Sequence, residues 1–139
     1  MIIGFNFNTI SVQRKRNPSG NIDIKNNVAI KDVQKADFKF GSASQQGLKF
    51  IFEFTSKYTP DFGEVLLTGE VLYLADDKTT RQILDEWASS KKISKELMSG
   101  ILNTVLARCN IQALVLSKEV NLPPPIPMPQ IGKEPEKKK

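Results

Sequence analysis

At 139 residues the chain fits one domain with a short appendage rather than two domains. Hydrophobic residues make up 40% and charged residues 25%, close to the globular average, which excludes a wholly disordered or fibrous chain. A chain of this size folds without metal or disulfide. Its single cysteine, Cys109, and its lack of histidine exclude an internal disulfide, the usual zinc sites and Ser-His-Asp or Cys-His catalysis.

The net charge is +5, but residues 133–139 hold four lysines and two glutamates, which leaves the body at +3. That excess suits solubility and is compatible with RNA or an anionic surface without being a footprint for either. The opening stretch from Met1 to Asn8 has no basic region and no long apolar run, so no secretory signal is read there. No window reaches the ~20 apolar residues of a membrane span, so no membrane insertion is expected. The cytoplasm is the expected compartment.

In chain order, Ile3, Phe5 and Phe7 alternate before the parity shifts to Ile10 and Val12, as a bulge in one bent strand would cause. A turn cluster runs from Asn17 to Asn21. Ile22 and Ile24, then Val28, Ile30 and Val33, predict one irregular strand or two short ones interrupted at Asn26-Asn27. A brief strand-like piece, Asp37 to Phe40, precedes a Gly/Ser/Gln loop from Gly41 to Gly47. Leu48, Phe50, Phe52 and Phe54 then occupy every second position, giving a strand with one aromatic face that must be covered. Lys57 to Gly63 reads as a hairpin connection and Glu64 to Leu74 as its antiparallel return strand. Gly69, in the middle of that strand, marks a bulge or a place where another backbone or ring lies close.

From Asp76-Asp77 the period becomes helical. Ile83, Leu84 and Trp87 follow an Asp N-cap, and Ser89 to Lys92 closes this short helix. Ser94 caps a second helix with Glu96 in its first turn. Leu97, Met98, Ile101, Leu102, Val105, Leu106, Cys109, Ala113, Leu114 and Ser117 predict one amphipathic helix of roughly 25 residues, ~37 Å long, ending before Pro123. Prolines then exclude helix and central strand from Leu122 to Ile131. This is an extended arm whose apolar residues, Leu122, Ile126, Met128 and Ile131, predict docking on its own fold or a neighbouring subunit; a free ligand of the SH3 type is the alternative. The division is therefore a domain over 1–121, the arm over 122–131 and a disordered Lys-rich tail over 132–139.

Three segments carry a resemblance: the hairpin from Leu48 to Phe54 and from Glu64 to Tyr73, the helix run from Val105 to Leu114 with Leu106-Ala107-Arg108-Cys109 inside it, and Asn121-Leu122 with the prolines that follow. In this order of elements the chain resembles the SecB-like family of preprotein chaperones, over about residues 3 to 131. The resemblance implies an α+β fold with an antiparallel four-stranded sheet, a short helix and a long C-terminal helix packed on one face. It further implies a homo-oligomer, a dimer or dimer of dimers, that holds unfolded polypeptide without ATP, catalysis or cofactor, with protein export as a setting. Export chaperones of the family are acidic, whereas this chain is basic.

Three function classes compete. A peptide-binding module needs apolar side chains that one helix does not cover, and the candidates are Phe38 and Phe40 beside the flexible loop, Phe62 in the hairpin connection, Trp87 and Met98. For each the plain alternative is core packing. An RNA- or ribosome-associated protein would use Arg14, Lys15 and Arg16, with Lys91, Lys92 and Lys95, and the Lys137 to Lys139 run, against the alternative of solvated turns and a solubilising tail. An enzyme is the weakest reading. Neighbouring carboxylates such as Asp85-Glu86 do not converge on one helix face, nucleotide-binding glycine patterns are lacking, and Cys109 lies on an apolar stripe with no histidine to activate it.

Overall fold

The computed structural model describes residues 1–17 and 19–127. Four strands precede two helices: β1 (Ile2–Arg14), β2 (Asp23–Phe40), β3 (Ala43–Thr59), β4 (Gly63–Leu74), α1 (Asp77–Ser90) and α2 (Lys95–Glu119). The strands form one antiparallel sheet in the order β1-β4-β3-β2. This is an α+β protein with a long C-terminal helix. The described arm residues, 122–127, fold back on the body; the rest of the arm, including Met128 and Ile131, and the Lys-rich tail lie outside the described residues.

Register places side chains from all four strands in rows on one face. Phe5, Val71, Phe50 and Val33 share a row; Ile10, Leu67, Phe54 and Val28 share another. Leu48, Phe50, Phe52 and Phe54, the alternating aromatic strand, are sealed in the core. Each such burial contributes about 1.5–3 kcal/mol. The opposite face stays polar enough for water and carries the exposed or half-exposed pairs Lys31–Glu53 at 3.4 Å and Lys49–Glu70 at 3.8 Å.

α2 lies across the aromatic face in contact with all four strands, while α1 packs on β2 and β3. The α1 cap is Asp76, whose carboxylate accepts from Thr79 N at 2.7 Å; Ser94 Oγ accepts from Leu97 N at 3.3 Å at the start of α2. α2 ends in a Schellman motif: Asn121 is left-handed at φ 61, its N–H reaches Lys118 O, and Leu122 N–H reaches Ser117 O at 2.8 Å. The chain thereby turns sharply from the helix into the prolines.

Of the two forms left open for the second strand the structure shows the single irregular one, while the loop expected before the third strand is replaced by pairing. β2 is one strand of 18 residues, and Asn26-Asn27 pass through it without a break, paired to Ser56 and Thr55. The irregularity sits later, at a register shift between Ile30 and Asp32. Asp37 to Phe40 is the end of this strand, and the expected loop at Gly41 to Gly47 shrinks to a tight turn because β3 already begins at Ala43. Backbone pairing between Phe40 and Ala43 supplies the hydrogen bonds that the polar side chains left unspecified. The β3–β4 connection likewise shrinks to Pro60, Asp61 and Phe62. In β1 the register shifts between Phe7 and Thr9, where the parity change indicates a bulge, and again between Ile2 and Gly4.

Gly69 faces the bulged part of β1, and the Phe52 ring lies over it. A Cβ there would stand 2.1 Å from Asn6 O and 2.8 Å from Phe52 Cζ. Close approach of backbone and ring, not turn geometry, requires this glycine. Gly69→Ala is therefore expected to lower stability by about 1–3 kcal/mol through overpacking. A urea unfolding curve checks this: the midpoint should fall, and an unchanged midpoint would contradict the packing.

Candidate functional site

α2 is apolar on more than one side. Ile101, Val105, Cys109, Ala113 and Ser117, four residues apart, are the buried row against the sheet. Leu97, Ile101, Thr104, Arg108, Ile111 and Val115 form a second stripe at three- and four-residue spacing, beside β1. Ile101 belongs to both. The guanidinium of Arg108 lies over the Phe5 ring, 4.8 Å from its centroid, and Phe5 meets Phe7 and Phe52 at 5.0 Å each. Past that point the stripe is open: Ile111 is 62% and Val115 47% exposed, and Ile10 on β1 is 48% exposed.

A cleft stands at each end of the stripe. One, of about 630 Å³, lies between the start of β1, α1 and the first turns of α2, with Ile2, Tyr73, Ile83, Leu97 and Ile101 in its walls. The other, of about 830 Å³, lies between the end of α2 and the arm, walled by Leu114, Val115, Leu122, Pro123 and Pro124. Only 22% of the most apolar stretch of α2 is buried. By length and composition alone α2 is long and apolar enough to cross a membrane; its buried row packs it on the sheet.

The five apolar candidates do not form one site. Phe62 is buried at the β3–β4 turn, its ring under the Arg16 guanidinium at 4.4 Å. Trp87 is buried where α1 meets the sheet, and Lys91 Nζ stands 5.5 Å from its ring centroid. The Trp87 indole N–H has no hydrogen-bond partner among the described residues, although it lies near Asp32. The Gln34 amide first, with the Val33 N–H, Trp87 and Lys91 assisting, holds the Asp32 carboxyl below its usual range. Met98 is half-buried and shares a shallow pocket with Lys91, Lys92 and Lys95. Phe38 is half-buried, close to Gly47, on a two-stranded ribbon that extends past the end of β4, and Phe40 at its tip is 51% exposed.

The basic cluster at the end of β1 is occupied with its own fold. Lys15 Nζ pairs with Asp61 at 3.1 Å, Arg16 donates to Pro60 O at 2.6 Å, and Arg14 donates to Asn17 Oδ1. The first two contacts fasten the β3–β4 turn to the end of β1; the third is local. Lys91, Lys92 and Lys95 gather instead at the junction of α1 and α2, where Lys91 adopts the left-handed cap conformation.

Sequence reasoning missed the open stripe, Ile111 and Val115 above all, and a polar row on the aromatic face: Asn26, Ser56 and Tyr58. The stripe had a signal in its spacing. The polar row had none, because Asn26 and Ser56 sit on different strands and meet only through register. Ser56 donates to Asn26 Oδ1 at 2.6 Å, and Tyr58 donates to Pro123 O at 2.6 Å. Burial pushes the Tyr58 hydroxyl up to about 12, with the neighbouring Ser117 hydroxyl opposing it.

No family model, no curated protein and no solved structure matches the chain.

Cys109 sits in the middle of the buried row, and burial pushes its thiol up to about 12. The reactive species is the thiolate, so the native protein is expected to react with a disulfide reagent at pH 8 at least about a hundredfold more slowly than the unfolded chain. Equal rates in buffer and in denaturant would show that the row is not sealed.

Proposed function

We propose that the chain is a non-catalytic, ATP-independent holder of unfolded or extended polypeptide, a SecB-like chaperone of the cytoplasm with protein export as one setting. The observation that carries this reading is the exposed apolar pair Ile111 and Val115 on the open part of the α2 stripe, with the cleft beside the arm reaching Val115 and Ile10 exposed on β1. An extended client of six to eight residues spans roughly 20–28 Å at ~3.3–3.6 Å per residue, enough to cover Ile111 and Val115 and reach into the cleft beside the arm. Micromolar affinity requires about 8 kcal/mol net, and a few apolar side chains buried along such a stripe supply it after ordering is deducted. The four-stranded antiparallel sheet with a long helix on one face, which the family resemblance implies, is the architecture of this chain.

Self-association belongs to the same proposal. β1 is an edge strand of 13 residues with Ile3 and Ile10 exposed, and it flanks the open side of α2. A second copy and a client would both find apolar surface there. RNA or ribosome binding is the alternative reading; its remaining basis is the Lys91, Lys92 and Lys95 group, since Lys15 and Arg16 are engaged with the β3–β4 turn.

Replacing Ile111 and Val115 together by aspartate tests the reading. Both residues are exposed, so the thermal midpoint should move little. Affinity for a fluorescently labelled, reduced and unfolded client should fall at least about tenfold, which is 1.4 kcal/mol. Client binding to the unaltered chain should persist or strengthen as salt rises, whereas RNA binding would weaken steeply with log salt. Unchanged client affinity in the double variant would overturn the role of the stripe.

A further inference from the structure

The first residues of the proline arm are held as a ligand is held. Leu122 and Pro125 are buried while Pro124 and Pro127 between and beyond them are exposed, so burial falls on every third residue, the period of a polyproline helix. Two strand side chains donate to the arm's backbone: Tyr58 Oη to Pro123 O at 2.6 Å and Asn26 Nδ2 to Pro125 O at 2.9 Å. Ser56, fully buried, donates to Asn26 Oδ1 at 2.6 Å and thereby turns the Asn26 amide toward the arm. These donors stand on the helix-facing side of β2 and β3, just where α2 ends.

The chemistry selects for proline. Residues 123, 124, 125 and 127 have no N–H to satisfy, so a segment of this kind enters an apolar seat at the expense of its carbonyls alone, and the seat supplies a donor for two of them. A chain rich in ordinary amides would bring N–H groups for which the seat shows no acceptor aimed at them among these contacts. Without an occupant, the buried Tyr58 hydroxyl would lose its partner in a low-dielectric setting, which is costly, whereas the exposed Asn26 would turn to water.

We infer that Asn26, Ser56 and Tyr58 form a binding site for extended peptide of the Leu-Pro-x-Pro kind, occupied in cis by residues 122–125, and that an incoming client segment of this class must displace the arm. The inference rests on the polypeptide-holding reading for the identity of the incoming chain and on the contacts above for the site itself. The arm leaves α2 at the left-handed Asn121 and stays tethered beside its seat, so it competes at an effective concentration in the millimolar range. Free peptide therefore sees only the fraction of molecules whose arm is off.

The test uses the full-length chain and a labelled synthetic peptide, Asn-Leu-Pro-Pro-Pro-Ile-Pro, followed by fluorescence anisotropy. Leu122→Ser weakens the tethered occupant and leaves the seat intact; it should bind the peptide at least about tenfold more tightly than the unaltered chain. Adding Tyr58→Phe on the seat side should reverse most of that gain, and a peptide with alanine at its first and third prolines should bind more weakly to both. A Leu122→Ser protein that melts cooperatively yet binds the peptide no better would overturn the inference. Should that variant fail to fold, the unaltered chain decides: the methyl resonances of the arm's buried Leu122 should move toward solvent-exposed values as the peptide is raised to about 10 mM and displaces the arm, and static resonances overturn the site. An unfolded client that binds every variant equally removes the arm's gating role but leaves the holding function standing. Peptide binding as expected, with no binding of unfolded client to any variant, upholds the site and overturns the holding function.

Discussion

The packing of one row of α2 against the aromatic face of the sheet governs the rest of the molecule. The row runs Ile101, Val105, Cys109, Ala113, Ser117, and its side chains shrink toward the C-terminus. Smaller side chains let the helix backbone approach a surface more closely, and Ser117, the last of the row, lies beside Tyr58 of the sheet. The 25-residue helix contacts all four strands of one sheet. Gly69 is part of the same fit, since it gives the Phe52 ring a place to lie.

Because a single row seals the core, the remaining sides of α2 are free to serve other ends. A helix in the centre of a two-layer protein has one face for the sheet and others for solvent, and solvent faces are ordinarily polar. Here Ile111 and Val115 stand where charged residues would serve solubility, and Arg108 covers Phe5 with its guanidinium instead of extending into water. The apolar surface proposed for clients therefore lies on the flank of the helix and at its two ends. The aromatic strand itself is closed within the single chain. Ser117 lies beside Tyr58, so the polar row meets both the C-terminal end of the helix and the arm.

Much of the architecture was legible in local sequence. The parity change between Phe7 and Ile10 marks the β1 bulge, alternation from Leu48 to Phe54 marks the buried face of β3, and Asp76 and Ser94 mark the helix starts, because each signal depends on groups within a few residues of one another. The tight turn at Gly41-Ser42 was not legible. Its flanking Ala43 to Gln46 have polar, flexible side chains, and their strand conformation is imposed by backbone pairing with β2. Phe62 shows the same limit from the other side: an aromatic residue in a hairpin connection is usually exposed, but Arg16 arriving from β1 covers it.

The sequence by itself determined the element types, the aromatic face, the length of α2 and the chemistry excluded by the lack of histidine, all of which depend on composition or short-range periodicity. Tertiary structure alone decided which apolar residues remain open and which polar ones converge. Apolar residues lie on more than one side of α2, and only contact with the sheet separates buried Val105 and Cys109 from exposed Ile111 and Val115. Asn26, Ser56, Tyr58 and Pro123 are as much as 97 residues apart in the chain. Strand register and a sharp helix exit bring them together, and no local pattern encodes a relation across that distance.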